Sequence, residues 1–375
     1  MRDRDTYLDW NATAPLRPEA AAAVGEALGR CGNPSSVHRW GRAARRQIEA
    51  AREDVAALLD APAEGVIFTS GGTEANHLAL LGCGRSRILV SAVEHSSVLQ
   101  AAPGAERIPV DGNGIVDLGM LAALLDADPM PALVSVMLAN NETGVIQPVR
   151  AIAALAHARG ALFHCDAVQA AGKTALSLAD IGADLVTLSA HKLGGPPGVG
   201  AVAAAAGIEL TPLLRGGGQE RSRRAGTENL PGIAGFAAAA RASLAGIAEY
   251  ERVRRLRDAL EEALSPAAIV IGADAARLPN TAALAMPGMP AETQIIAFDL
   301  AGVMVSAGAA CSSGKVGPSH VLSAMRVASD VANSTIRVSL GWTTTKDDIA
   351  HFIDAWRALH TRVTGRAAGR SRAAA

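Results

Sequence analysis

This sequence predicts an α/β fold built on a mostly parallel sheet, and three observations point there. From about residue 64 to 202, short apolar runs alternate with helix-like stretches, the rhythm of successive βα units. Five of those runs end in polar, chemically capable residues. Finally, 375 residues with 49% hydrophobic and 19% charged side chains suffice for a large core and a second, smaller domain.

The apolar runs are GVIFTS, RILVSAV, ALVSVML, ALFHCDA, DLVTLSA and GVGAVAA. Helices are expected between them at 73–82, 95–102, 117–127, 148–159 and, more briefly, 177–181. Residues 236 to 264 read as one long helix, with Leu256, Leu260 and Leu264 forming an apolar stripe at i, i+4 spacing. Strand-like AAIVIGA follows, then a turn at LPN and further strand candidates. The run SAGAACSSGKVGPSH, residues 306–320, is small-residue loop sequence punctuated by Gly and Pro, with Cys311 near its centre. The last eleven residues, GRAAGRSRAAA, read as a disordered tail.

Composition excludes several function classes. A net charge of -1 gives no electrostatic case for nucleic acid or an anionic membrane surface. No stretch reaches the roughly 18 uninterrupted apolar residues of a bilayer span. The start MRDRDTYLDW has no apolar signal core, so a cytoplasmic protein is expected. The four cysteines, Cys31, Cys83, Cys165 and Cys311, form no C-x-x-C pair, which argues against structural zinc and for free thiols. Cys165, within an apolar strand, reads as a small buried hydrophobe. No metal is expected.

Only four of the 35 basic residues are lysines: Lys173, Lys192, Lys315 and Lys346. Where a positive charge suffices, the chain uses arginine, so a retained lysine points to amine chemistry that guanidinium cannot perform.

The ends of the apolar runs carry that chemistry. In open α/β sheets, ligands bind at the carboxyl ends of the strands. VIFTS leads into Gly71-Gly72-Thr73-Glu74, where glycines admit a ligand to the backbone and a helix N-terminus favours an anion. An ordinary N-cap is the alternative there. ILVSAV leads into Glu94-His95, LVSVMLA into Asn140-Asn141, ALFHC into Asp166 and Gln169, and LVTL into Ser189, His191 and Lys192. A buried Asp166 costs several kcal/mol without a partner, so it calls for a cation such as a protonated pyridine. His95 offers a ring for stacking, and Lys192 an amine for a Schiff base. Phosphate site, lysine, aspartate and stacking ring together describe pyridoxal 5′-phosphate.

These motifs also carry a resemblance. YLDWNATAP, GNPSSVH, FTSGGTEAN, ANNETGV, DAVQAAGK, SAHKLGGPPGVGA, GGGQERSRRAGTEN, ACSSGKVGPSHVL and STIRVSLGWTTT occur in the order found in cysteine desulfurases of the nitrogen-fixation and iron–sulfur-assembly type. Those belong to the class V aminotransferase family of fold-type I pyridoxal-phosphate enzymes, and the resemblance spans nearly the whole chain. It implies a large cofactor domain over 14–248 with a mostly parallel seven-stranded sheet between helices. A smaller α+β domain over 1–13 and 249–365 would carry the Cys311 loop, with a tail over 366–375.

Carried over by position, the resemblance implies that Lys192 forms the Schiff base with the cofactor and His95 stacks on its ring. Asp166 pairs with the pyridine nitrogen and Gln169 with the phenolic oxygen, with Asn141 beside the ring. Gly72, Thr73, Ser189 and His191 hold the phosphate, and Thr227 reaches the phosphate of a second subunit, implying a homodimer. Arg337 binds the substrate carboxylate, and Asn11 helps to line that pocket. Cys311 attacks the sulfur of L-cysteine and becomes a persulfide, leaving L-alanine and delivering sulfur to an iron–sulfur scaffold or another acceptor protein.

The chain departs from the family pattern in four places, one of them GAACSSG for the usual Gly-Ser-Ala-Cys. GGT stands for the usual Gly-Ala-Thr, Trp342 for a common arginine, and Arg326 for a usual glycine. The short C-terminus suggests a specialised, nitrogen-fixation role. Rival readings are a selenocysteine lyase, another class V aminotransferase or C–S lyase, and a non-catalytic sulfur carrier or scaffold subunit. The lyase and aminotransferase rivals require no cysteine at 311.

Overall fold

The computed structural model describes residues 5–308 and 319–373, with side chains described as far as Arg362. Thirteen strands lie among the described residues: β1 (Thr6–Tyr7), β2 (Val66–Thr69), β3 (Arg87–Ser91), β4 (Glu106–Ile108), β5 (Ala132–Ser135), β6 (Leu162–Asp166) and β7 (Leu185–Ser189). After them come β8 (Gly200–Ala204), β9 (Ile269–Val270), β10 (Thr281–Ala285), β11 (Val303–Met304), β12 (Ser306–Ala307) and β13 (Thr335–Ser339).

The main sheet has seven strands in the order β2-β8-β7-β6-β5-β3-β4. β4, β3, β5, β6 and β7 pair in parallel, and only β8 runs antiparallel to its neighbours β7 and β2. Each of the six apolar runs supplies one strand. The seventh, β4, has the sequence ERI, too short and polar for hydrophobic patterning to reveal.

Both faces of this sheet are buried, which is why its strands read as apolar runs rather than alternating ones. Val66 and Phe68 of β2 point into one core beside the helices Arg39–Ala57 and Leu230–Ala245. Ile67, between them, points into the opposite core with Leu78 and Leu80 of the helix Gly72–Gly82. A third core gathers Leu8, Tyr250, Leu256, Leu260, Phe352 and Trp356 around a four-stranded sheet of order β12-β13-β10-β9. Cys165 is fully buried, as expected, and burial lifts its thiol pKa well above the ordinary value.

Two expectations fail for identifiable reasons. The single helix read over 236–264 is two helices, Leu230–Ala245 and Glu249–Leu264, bent by 74°. Gly246 ends the first by donating its N–H to the carbonyls of Ala242 and Ser243. The two halves also differ in character. The first is Ala-rich and buried over most of its surface, whereas the second is charged outside and apolar along the Tyr250-Val253-Leu256-Leu260 face. One sequence window merged a core helix with an amphipathic one. At the other end, the last helix runs from Lys346 to Ala373, through most of the stretch read as tail. Ala and Arg have high helix propensity and extend a helix already nucleated upstream.

Candidate active site

The carboxyl ends of β2, β3, β5, β6 and β7 open into one cavity of about 500 Å³. Gly72 and Thr73 enter from the helix after β2, His95 from the turn after β3 and Asn141 from the loop after β5. Asp166 and Gln169 follow from β6, and Ser189, His191 and Lys192 from β7. Asn11 lines the cavity from the segment after β1, and Arg337 from β13 of the smaller sheet. Eleven of the thirteen expected positions therefore converge. Thr227 lies apart, beside a separate hollow with Arg224 and Glu228. Cys311 lies outside the described residues; the segment carrying it departs from Gly308, which lines the cavity, and returns at Ser319.

Asp166 is 6% exposed, and its two oxygens accept from Asn76 Nδ2 at 2.8 Å and the Val168 N–H at 2.9 Å. Both donors are neutral, so the carboxylate is oriented without being neutralised. Asn76 was not identified from the sequence. It is 1% exposed on the inner face of the helix Gly72–Gly82, where its side chain also donates to Ser97 Oγ at 2.8 Å and accepts from Thr187 Oγ1 at 2.6 Å. A buried Asn three residues after Thr73 is the only clue the sequence offers.

Ser97 passes this order on to His95. His95 Nδ1 accepts the Ser97 N–H at 3.1 Å and lies 2.8 Å from Ser97 Oγ. Because Nδ1 accepts the Ser97 N–H it carries no proton of its own, so the Ser97 hydroxyl donates to it. The imidazole proton is thereby assigned to Nε2. Burial lowers the His95 pKa, with Asp166 opposing and Lys192 reinforcing the shift, so the ring is held neutral. His191 is neutral for a similar reason: burial, helped by Lys192, takes it to about 4. One of its nitrogens, Nδ1, lies 2.7 Å from Thr13 Oγ1.

Lys192 sits in the 3₁₀ turn Ala190–Lys192, and its Nζ donates to the carbonyls of Asn11 at 2.6 Å and Ala12 at 2.9 Å. Asn11, expected to help line the substrate pocket, lines the cavity. Its side chain is committed within the protein, donating to the Asn141 carbonyl and Thr281 Oγ1 and accepting from Asn280. What it offers the site is its backbone carbonyl, which receives both Lys192 and Gln169 Nε2.

Arg337, 5% exposed, forms an ion pair with Asp9 at 2.7 Å and donates to the Asn141 carbonyl at 3.1 Å. Its Nε is buried with no protein partner. Asp9 is a second residue the sequence reading missed, although it lies two positions before Asn11 in LDWN. Trp342 does not line the cavity. It packs edge-on against Trp10, with the Arg17 guanidinium 3.7 Å from its ring centre.

The segment leading to Thr227 is tied to the same helix N-terminus that faces the cavity. Arg224 pairs with Glu74, in the first turn of that helix, at 2.8 Å. Upstream, Glu220, Arg221 and Ser222 all have positive φ. That left-handed turn costs on the order of 1–3 kcal/mol per residue, and the Glu220–Arg52 ion pair, 1% exposed on both sides, clamps it to Phe68 N–H at the free edge of β2. Among the described residues, no cluster of three His, Cys, Asp or Glu side chains could hold a metal ion. Nor is any single described helix long and apolar enough to cross a membrane.

Comparison with known proteins agrees with this geometry. Residues 6–352 match the family model for the class-V aminotransferases. The chain is 45% identical over 366 residues to a cysteine desulfurase of Cereibacter sphaeroides, covering 93% of this chain and 94% of that one. It is 40% identical over 370 residues to the cysteine desulfurase IscS of Dictyoglomus turgidum, covering 94% and 93%. Among solved structures, a NifS-like protein from Rickettsia africae superposes with a TM-score of 0.88 at 36% identity, over 95% of this chain and 99% of that one. The chain belongs to the class-V aminotransferase family, as one of its cysteine desulfurases.

Proposed function

We propose that this cavity binds pyridoxal 5′-phosphate and L-cysteine and that sulfur leaves the site on Cys311, as L-cysteine and the Cys311 thiol become L-alanine and a Cys311 persulfide. The observation that carries this reading is the convergence of Lys192, Asp166, His95 and Arg337 on one cavity in a chain of cysteine desulfurase ancestry.

The residues present fit the cofactor. The helix Gly72–Gly82 begins without a side-chain cap, leaving its first N–H groups for an anion. A Cβ on Gly72 would meet Ser189 Cβ and Val168 Cγ2 at 3.3 Å each, so glycine keeps that approach open. Gly72, Thr73, Ser189 and His191 would hold the phosphate, Asp166 the pyridine nitrogen and Gln169 the phenolic oxygen. When bound, the cofactor supplies an electron sink for the substrate's amino-bearing carbon.

The chain's own groups do the rest. Lys192 supplies the linking amine and, once displaced, a base at Nζ for the proton on the substrate's α-carbon. Arg337, with its unpartnered Nε, fixes the substrate carboxylate, and Asp9 keeps that guanidinium aimed. Neutral His95 presents its Nε2 proton to the cavity and can return one there. Sulfur transfer is balanced: the C–S bond of cysteine breaks, an S–S bond forms to Cys311, and the thiol proton ends on the alanine product. We further propose that the protein acts as a cytoplasmic homodimer in which Thr227 reaches the partner's phosphate. An iron–sulfur scaffold or similar protein would accept the sulfur. The large unit would span 14–248 and the smaller one 1–13 with 249–365.

The test compares wild type, Lys192→Ala and Cys311→Ser with L-cysteine, measuring alanine and the visible absorbance of bound cofactor. Wild type should show both, and Lys192→Ala neither. Cys311→Ser should keep the absorbance and lose alanine formation. Alanine formed by Cys311→Ser at an undiminished rate would contradict the role of Cys311.

A further inference from the structure

Lys173 is one of the four lysines in a chain that otherwise uses arginine, and nothing above gives it a role. It is 3% exposed, with its ammonium among neutral acceptors: Nζ donates to the Gln169 carbonyl at 2.8 Å and to Gln169 Oε1 at 3.1 Å. The other end of the Gln169 amide donates from Nε2 to the Asn11 carbonyl at 3.1 Å. The two contacts fix the amide independently. An ammonium only donates, so the atom facing Lys173 is oxygen; a carbonyl only accepts, so the atom facing Asn11 is nitrogen. Gln169 lines the cavity with its oxygen occupied and its remaining amide proton available.

We propose that Lys173 is the positioning residue that makes Gln169 a hydrogen-bond donor to the cavity, and that it adds positive charge behind the phenolic oxygen of the bound cofactor. Without Lys173, only the Asn11 carbonyl, already shared with Lys192, opposes a flip that would turn an acceptor toward that oxygen. Burial, with the neighbouring charges of Lys192 and Arg337, lowers the Lys173 pKa to about 7, so an anionic ligand nearby favours its protonated form. Arginine cannot replace it simply, because a planar guanidinium does not fit where a compact ammonium contacts two oxygens of one residue.

This inference rests on the cofactor reading above, and its test separates the two. Wild type, Lys173→Met and Gln169→Glu are titrated with pyridoxal 5′-phosphate without L-cysteine, recording cofactor affinity, the pH midpoint of the bound cofactor's visible absorbance and the melting temperature of the cofactor-free protein. Both variants remove the donor: Met takes away its support, while Glu keeps Lys173 paired but places an acceptor on the cavity. Each should bind the cofactor about tenfold more weakly, the loss of about one good hydrogen bond. Each midpoint should also rise by about half a unit or more, because losing the positive charge in Lys173→Met, or replacing the donor by a carboxylate in Gln169→Glu, favours protonation of the chromophore. Gln169→Glu reports even if Lys173→Met does not fold. A change in melting temperature alone, with affinity and midpoint as in wild type, would overturn the inference and leave the cofactor reading intact. No visible band in wild type would overturn both.

Discussion

Replacing Asn76 with aspartate leaves the shape of the site almost unchanged and inverts its electrostatics. Asn76 Nδ2 lies 2.8 Å from Asp166 Oδ2, so Asn76→Asp sets two carboxylate oxygens at hydrogen-bond distance in a site only a few per cent exposed. Two such groups do not both ionise, and carboxyl dyads of this kind separate their pKa values by about 3 units. Burial pushes the upper value higher, so the pair keeps one proton at neutral pH. Unfolded, both groups titrate near 4. The folded pKa is thus the raised one, and the associated stability is present below about pH 4 and lost as pH rises toward the folded value. Across that window the variant loses up to about 1.4 kcal/mol per pH unit relative to wild type, so the gap between the two proteins widens from pH 5 to pH 7. Urea denaturation of the cofactor-free proteins at those two pH values measures the gap. A gap of equal size at both would refute the claim that Asn76 donates directly to the Asp166 carboxyl group.

Other predictions test separate parts of the account. Glu94 is fully buried with Oε2 unpartnered, and burial raises its pKa to about 8. Its stabilising protonated form is complete below about pH 4.5 and lost as pH rises through 8, so Glu94→Gln should gain stability over wild type by up to about 1.4 kcal/mol per unit across that window in pH-dependent denaturation. A Cβ on Gly308 would lie 2.1 Å from Glu142 Oε2, a carboxylate oxygen that Ser319 Oγ holds at 2.6 Å. Gly308→Ala should therefore lower alanine formation at least about tenfold, and Glu142→Ala in the same chain should partly restore it. Arg326 has a φ of +57°, the left-handed region that favours glycine. Arg326→Gly should stabilise the protein by about 1 kcal/mol, read as a rise of about 1–2 °C in thermal melting.

The site was more legible than the fold around it. Backbone rhythm and polar strand ends located Asp166, Lys192 and His95 because a buried sheet places its chemistry where the apolar runs stop. The bend at Gly246 was hidden because an Ala-rich core helix and a Leu-striped one share the same local period. β4 was hidden because its three residues are ordered by pairing with β3, not by their own character. Asn76 and Asp9 were missed for another reason. Each acts on a site residue far away in sequence, 90 positions to Asp166 and 328 to Arg337, and no local spacing records such a pairing. For Asn11 the position was legible and the contribution was not, because its backbone carbonyl rather than its side chain faces Lys192 and Gln169. The glycine expected at Arg326 corresponds to a real backbone demand, visible only once φ is known.

The central claim is that this cavity moves sulfur from L-cysteine onto Cys311. Brief incubation of the purified enzyme with ³⁴S-labelled L-cysteine, followed by alkylation and peptide mass spectrometry, tests it most directly. One added ³⁴S atom is expected on the peptide containing Cys311, none on those containing Cys31, Cys83 or Cys165, and no label in Lys192→Ala. Alanine formed from the labelled cysteine with no ³⁴S on Cys311 would contradict it.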